Sequence, residues 1–388
     1  MSPAYSQASE ADLGGRVTIP PLMSAPDRNS RYHRQMLVAG IGADGQRRLG
    51  GSSVLIVGCG ALGTVIADAM VRAGVGTVVI ADRDIVERTN LQRQVLFDER
   101  DAAAGSPKAE AAAARLGAVN SEVRVVPLVV DVTARNAEEL VSGSFSGLDA
   151  KADVVLDGTD NFSTRYLLND VCVKRGVPFV YGAAVSTGGM TMTVVPSGAS
   201  PTPCLRCIFP DPPAPGSAPT CDTAGILGPV AGIVGAMQAA EAIKLLLDRE
   251  DQIARGLRQI DLWTNVLRTI DAGQARRAGP DVCPCCGLKR FDFLSAAVDD
   301  SAILCGADSV QITPSNGPGG NDSGPVDLAA LARRLAPHGA ALPGRHMLRA
   351  TIEREEIELT VFRDGRAIVR GTREPARAKA IYVQYIGM

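Results

Sequence analysis

Short unbroken apolar runs punctuate the first half of the chain. Ser53–Val57 (SVLIV), Thr77–Ala81 (TVVIA), Val123–Val130, Asp153–Leu156 (DVVL) and Pro178–Val185 read as strands buried on both faces of a parallel sheet. Between them lie helical stretches: Arg31–Gly50 with Met36 and Leu37 facing inward, an Ala-rich segment ending at Ala73, Pro107–Val119 and Asn161–Arg175. Strands and helices in alternation predict an α/β fold with a Rossmann-like, mainly parallel sheet. After Gly182 the pattern changes. Gly189–Val195 (GMTMTVV) and Ile260–Ile270 alternate and predict an antiparallel extension. The Pro-rich loop Pro196–Pro219 separates them, followed by a small-residue helix from Thr223.

Residues 295–325 read as a linker region, with Gly, Asn, Ser and Pro concentrated in 306–325. Beyond it, Val326–Leu335 predicts a helix, Met347–Ile352, Ile357–Phe362 and Ala367–Gly371 three strands, and Pro375–Ile386 a helix. Residues 326–388 are therefore expected to form a small C-terminal α+β domain. Residues 1–28 are rich in Ser, Pro, Ala and Gly without periodicity and read as a disordered tail. This leaves 29–294 as the principal domain, within the two to three domains that 388 residues suggest.

Composition narrows the function. With 40 Lys+Arg against 42 Asp+Glu and 4% aromatics, the chain has neither the basic excess nor the stacking platforms of a nucleic-acid binder. No secretory signal pattern opens the sequence, and a cytoplasmic location is expected. The uncharged stretch Thr223–Ala240 is interrupted by Gly225, Gly228, Pro229, Gly232, Gly235 and Gln238, and suits a packed helix better than a membrane span.

Gly58-Cys59-Gly60-Ala61-Leu62-Gly63 follows a strand and opens a helix. Glycines there permit a tight turn and close backbone approach to an anion, with Gly58, Gly60 and Gly63 as the cofactor-binding positions. Asp82 ends the next strand, where an acid can bond a ribose hydroxyl. These features alone fit a nicotinamide enzyme as well as an ATP enzyme, or a plain packing turn. The polar run Asp84–Gln94 (DIVERTNLQRQ) and Lys108 favour ATP, because cleaving a polyphosphate calls for cations. Arg93 and Lys108 are the candidates, with Asn90 and Gln94 as neutral donors; the alternative is a solvated loop. Asp157-Gly158-Thr159-Asp160-Asn161 ends a parallel strand, the edge where open α/β sheets bind ligands. Asp160 is a candidate Mg²⁺ ligand, and an N-cap is the competing role at this pair.

Cys204-x-x-Cys207 and Cys283-x-x-Cys286 have the spacing of a closed four-thiolate structural zinc site, with Cys285 a competing ligand. A reduced or redox-active set is the alternative. Cys59 and Cys172 read as core. Cys221, between the Pro-rich loop and the following helix, is a candidate nucleophile because a helix N-terminus lowers a thiol's pKa.

Together, Arg31–Gln35 (RYHRQ), GCGALG, TNLQRQ, Pro107-Lys108, DGTDN, both CxxC pairs and Cys221–Pro229 resemble the ThiF/MoeB/HesA family over about residues 30–290. The resemblance implies an adenylyltransferase. It would use ATP and Mg²⁺ to activate the C-terminal Gly-Gly carboxylate of a ubiquitin-like sulfur carrier, releasing pyrophosphate, in a thiamine, molybdopterin or related route. It further implies that Gly58, Gly60, Gly63 and Asp82 hold the nucleoside, that Asn90, Arg93 and Lys108 meet phosphates, and that Asp160 organises Mg²⁺, with Asn161 beside it. It implies a homodimer in which Arg34 reaches the partner's ATP, a sulfur donor such as a cysteine desulfurase or sulfurtransferase, and a covalent carrier link to Cys221 in some members. Some longer members end in a rhodanese domain. The context of Cys305 lacks an arginine-lined anion cradle, so no sulfurtransferase is expected here. Two rivals remain: a nicotinamide-dependent oxidoreductase, which leaves TNLQRQ and the four thiols unexplained, and a catalytically silent scaffold, which this set of cations and acids disfavours.

Overall fold

The computed structural model describes residues 30–387 except 199, 214–218, 272–281, 296–300, 304–308, 313–325, 345–346 and 364. The N-terminal tail and Cys305 lie outside the described residues. The first sheet comprises β1 (Ser53–Val57), β2 (Thr77–Ala81), β3 (Arg124–Leu128), β4 (Val154–Asp157), β5 (Phe179–Val185), β6 (Gly188–Val194), β7 (Leu257–Asp261) and β8 (Val266–Ile270). Their order is β3-β2-β1-β4-β5-β6-β7-β8. The first five are parallel, and β6 to β8 add antiparallel. The unalternating apolar runs become strands with cores on both faces. The chain leaves β1 toward β2 on one side and later returns to β4 on the other. The crevice between the C-terminal ends of β1 and β4 is thus the switch point where such sheets bind ligands.

Three sequence expectations are corrected. Arg31–Gly50 is not one helix but two, His33–Met36 and Gly42–Gly51. Gly40 and Gly42 take positive φ (94° and 60°) in the break, and Leu37 is 68% exposed rather than inward. Ile260–Ile270 is the hairpin β7–β8 rather than one strand, turned at Asn265 (φ 54°). The long helix runs Gly228–Leu246, with Pro229 in its first turn. Cys221 lies instead on a separate helical turn, Cys221–Ala224. The long helix packs on the sheet, and its buried polar side chains bond there, although Gln238 Oε1 has no partner among the described residues. Gln238 donates to Asp157 O (2.8 Å) and Val180 O (3.1 Å), while Glu241 pairs with Lys244 (2.7 Å). It is long and apolar enough to cross a membrane, but it serves as a core helix here.

A second sheet contains β9 (Ser301–Ile303), β10 (Ser309–Ile312), β11 (Ala341–Pro343), β12 (Met347–Ile352), β13 (Ile357–Phe362) and β14 (Ala367–Arg370), in the order β11-β12-β13-β14-β10-β9. All its pairings are antiparallel. Helices Leu328–Leu335 and Pro375–Tyr385 share its separate core. Strands β9 and β10 occupy the region expected to be linker. The four-residue run SVQI lies between the nearby β9 and β14, which is remote in sequence.

Candidate functional site

The loop after β1 and the loop after β4 touch at the crevice. Gly58 has φ 87°, and a Cβ on it would fall 2.6 Å from Gly158 O. A Cβ on Gly63 would fall 1.9 Å from Gly58 O, so only glycine lets the helix Ala61–Ala73 start this close to the turn. Gly60 is the N-cap of that helix and faces the Gln94 side chain. Gln94 is 4% exposed, and its Oε1 is buried without a hydrogen-bond partner among the described residues. An orphaned buried acceptor beside a glycine turn fits a site completed by a ligand's donor.

Asp82 closes β2 and is 7% exposed. It accepts from the N–H of Cys59 (2.5 Å) and of Asp84 (2.6 Å), which ties the glycine turn to the next loop. Burial pushes its carboxyl up to about 6, with Lys108 opposing the rise and Asp84 adding to it. Lys108 opens the helix Lys108–Val119 and donates Nζ to Asp84 Oδ2 at 3.0 Å. Burial alone would lower its pKa. The carboxylates of Asp84 and Asp82, joined by Asp160, outweigh that and hold the ammonium above its ordinary value. A permanently charged lysine therefore stands among three acids.

The two halves of the DGTDN motif separate. Asn161 caps the helix Phe162–Arg175 through Thr164 N (2.9 Å). Asp160 is exposed and makes no hydrogen bond among the described residues, yet its charge is felt by Lys108, Arg83 and Arg165. An open carboxylate whose charge reaches several cations suits Mg²⁺, which takes one or two carboxylates plus phosphate oxygens.

In the polar run, Asn90 is buried and its Oδ1 accepts from Glu87 N (3.0 Å), bracing the loop. Arg93 is partly exposed and donates to Thr89 O at 2.9 Å. The start of the long helix packs here, with a Cβ on Gly228 reaching within 3.1 Å of Gln92 O. Arg34 stands exposed on the helix His33–Met36, without a hydrogen bond or ion pair among the described residues.

Cys221 is half-buried, its Sγ 3.6 Å from Ala184 O. The long helix starting at Gly228 is not the element that the thiol caps, which corrects the expected source of its activation.

The sulfurs of Cys204, Cys207, Cys283 and Cys286 lie within 4.8 Å of one another. Three of the separations are 3.4, 3.6 and 3.8 Å. Zn–S bonds of about 2.3 Å in a tetrahedron require about 3.8 Å between sulfurs. Cys285 is outside the set: it is fully buried and accepts from Asn169 Nδ2 at 3.3 Å.

Two residues were not singled out from the sequence. Arg165 is 7% exposed, donates to Thr159 O (2.7 Å), and pairs with the buried Asp157 at 3.3 Å, fixing the loop that presents Asp160. Its place four residues after a capping Asn was the available signal. Asp84, the partner of Lys108, had a signal in the Asp-Arg-Asp run that includes Asp82.

The ThiF family model matches residues 32–285. Over 358 residues the chain is 44% identical to the sulfur carrier protein ThiS adenylyltransferase of Bacillus subtilis, covering 92% of this chain and 99% of that protein. It is 44% identical over 264 residues to the SAMP-activating enzyme E1 of Haloferax volcanii (68% of this chain, 91% of that protein). It is 40% identical over 262 residues to the Escherichia coli ThiS adenylyltransferase (68% and 96%). Among solved structures, E. coli MccB with succinimide superposes with a TM-score of 0.55 at 24% identity, over 67% of this chain and 75% of that one, a likeness of fold. With its glycine turn, DGTDN loop and paired CxxC motifs in one sheet, the chain belongs to the ThiF family.

Proposed function

We propose that the protein adenylylates the C-terminal Gly-Gly carboxylate of a ubiquitin-like sulfur carrier at the expense of ATP. The observation that carries this reading is the convergence at one crevice of the Gly58–Gly63 turn, buried Asp82, charged Lys108 and exposed Asp160 in a chain of this family. The carrier is ThiS-like, because the relative that matches across the second sheet as well bears that name.

A carrier carboxylate oxygen attacks the α-phosphorus. The bond from that phosphorus to the bridging oxygen breaks, and pyrophosphate leaves with the electron pair. Asp82 accepts from a ribose hydroxyl. Gly58, Gly60 and Gly63 let the backbone approach the nucleotide. Lys108 and Arg93 neutralise charge that grows on the phosphates, and Asn90 and Gln94 add neutral donors. Mg²⁺, held by Asp160, would supply further neutralisation of phosphate charge. Asn161 keeps that loop in place by capping.

Cys204, Cys207, Cys283 and Cys286 hold structural Zn²⁺, tying the end of this domain to the loop after β6; the sulfur spacing supports that reading. Cys221 is the candidate for a later covalent link: its thiolate would take the acyl group and release AMP. The sulfur donor is a cysteine desulfurase or sulfurtransferase.

A homodimer accords with the exposed Leu37 (68%) and Val38 (54%) beside Arg34, an apolar face that a second copy would cover while Arg34 enters its site. A cytoplasmic location accords with the described cysteines, all free of disulfides.

The test is carrier-dependent ATP–pyrophosphate exchange, run separately with each Gly-Gly carrier of the source organism. Exchange with a ThiS-like carrier is expected. ATP binding without exchange on any carrier would favour the scaffold, and nicotinamide binding without exchange the oxidoreductase.

A further inference from the structure

The reading above gives the second sheet no task, yet that sheet grips both segments that hold Lys108. One is the loop after β2. Gln311 on β10 is 2% exposed and donates to Asp131 Oδ2 at 3.1 Å. Arg83 donates to the same oxygen at 2.9 Å, and its Nε lies 3.8 Å from Asp84 Oδ1. Asp84 in turn holds the Lys108 ammonium. A continuous polar chain therefore runs Gln311–Asp131–Arg83–Asp84–Lys108. Beside it, Arg370 at the end of β14 pairs with Glu87 at 3.4 Å. The other segment is the turn leading into Lys108. Gly105 lies against Arg349 of β12, whose Nη2 would be 2.1 Å from a Cβ there.

Arg366 adds a buried cation to the second sheet. It sits in the tight β13–β14 connection, where Phe362 N donates to its carbonyl, and it is 3% exposed. Its guanidinium lies 4.8 Å over the Phe362 ring. A buried cation needs negative charge nearby, and the charge of Arg366 reaches Asp84. Burial pushes that carboxyl up, but Lys108, Arg83 and Arg366 together more than offset this and hold it below its ordinary value.

We propose that the second sheet is the outer wall of the nucleotide site, and that Gln311 and Arg370, joined by Arg366, are positioning residues for ATP acting through the loop after β2 and its Asp84. The proposal rests on the ATP-site reading. Three acids, Asp82, Asp84 and Asp160, surround the place where a polyanion must bind. Lys108 can serve the phosphates only if Asp84 is shared with other cations. Arg83 and Arg366 are those cations, and Arg366 comes from the other sheet. Removing it leaves Asp84 more dependent on Lys108 and makes the site more repulsive to phosphate.

The test is calorimetric binding of ATP with Mg²⁺ to the full chain, which needs no carrier and so stands apart from whether exchange occurs. Arg366→Met is expected to raise the dissociation constant about tenfold, the scale of one uncompensated charge at close range. Arg366→Lys should recover most of that loss. In an Asp84→Asn background, Arg366→Met should have little further effect, because the residue it acts through has lost its charge. In the exchange assay the same variant should raise KM for ATP with kcat much less changed; a variant that merely unfolds in part lowers kcat and leaves KM alone. If Arg366→Met does not fold, Arg370→Ala, at a half-exposed side chain, carries the test with Glu87→Gln as its partner, and a smaller rise in the dissociation constant is expected. Unchanged ATP affinity in the folded variants, an equal effect with Asp84→Asn present, or no ATP binding by the wild type would overturn the proposal. Wild-type ATP binding without carrier-dependent exchange would overturn the adenylylation reading and leave this one standing.

Discussion

Lys108 and Asp84 meet at 3.0 Å at the mouth of the β1–β4 crevice, and the lysine is 7% exposed while the acid's side chain is 46% exposed. The ammonium is therefore stored charged, on an acid that an incoming phosphate can replace. A neutral isostere should lose what the charge supplies in the transition state. Lys108→Met is expected to lower the pyrophosphate-exchange rate by about a hundredfold or more, the range seen when one preorganised electrostatic partner is removed. A variant with near wild-type exchange would place the phosphates elsewhere.

Asp82 titrates within an accessible range. Its carboxyl is raised to about 6, mainly by burial, so it takes up a proton as pH falls through that value. The neutral acid is a weaker acceptor for a ribose hydroxyl. ATP affinity should therefore fall below about pH 6, and Asp82→Asn should flatten that profile. The stability sign is the reverse of the usual salt-bridged aspartate. A folded pKa above the unfolded value means the native state binds the proton more tightly, so this group's contribution to stability is full below about pH 4 and declines as pH rises toward about 6. Chemical denaturation of wild type and Asp82→Asn across this interval measures it.

Neighbouring Asp160 and Asn161 should give opposite phenotypes. Asp160 is exposed and uncommitted, so Asp160→Ala should abolish adenylylation while the melting temperature stays close to wild type. Asn161 caps a helix, so Asn161→Ala should cost about 1 kcal/mol of stability and spare a larger share of activity. Normal turnover by Asp160→Ala would remove it from the metal site.

Much of the candidate site is legible in the sequence where its residues lie close together in the chain. The glycine turn, Asp82 at a strand end and the Asp160–Asn161 pair each declare themselves through a local element boundary. What was not legible depends on distant partners. Arg165 reads as a solvated helix face until Asp157 is known to be fully buried beside it. Asp131 and Gln311 share a bond across 180 positions, which no local window contains. Leu37 fits an inward helical stripe only if periodicity runs through Gly40 and Gly42, and their positive φ breaks it. On one side, strand β10 is likewise completed by the distant β14, which its own four residues do not announce.

Two cysteine variants test the metal cluster. Cys204→Ser should reduce bound zinc and lower the melting temperature, because metal that binds only the folded chain contributes its binding energy to stability. Cys285→Ser should keep wild-type zinc content, since Cys285 Sγ faces Asn169 and a serine hydroxyl can still accept that bond. Metal analysis of the purified variants decides it; loss of zinc from Cys285→Ser would make Cys285 a ligand.

In the proposed reaction Cys221 is the one site residue that would act after, rather than during, adenylate formation. Its sulfur contacts Ala184 O toward the end of β5, on a helical turn of its own, while Asp82 ends β2, Asp160 follows β4 and Lys108 opens the helix Lys108–Val119. Attack on the adenylate by the Cys221 thiolate forms a thioester and expels AMP, a step that pyrophosphate exchange does not include. Cys221→Ala should therefore keep carrier-dependent exchange and lose any covalent carrier adduct, read by non-reducing electrophoresis and intact mass. If exchange disappears with the thiol, Cys221 acts before or during adenylylation, and the turn Cys221–Ala224 belongs to the carrier-binding surface itself.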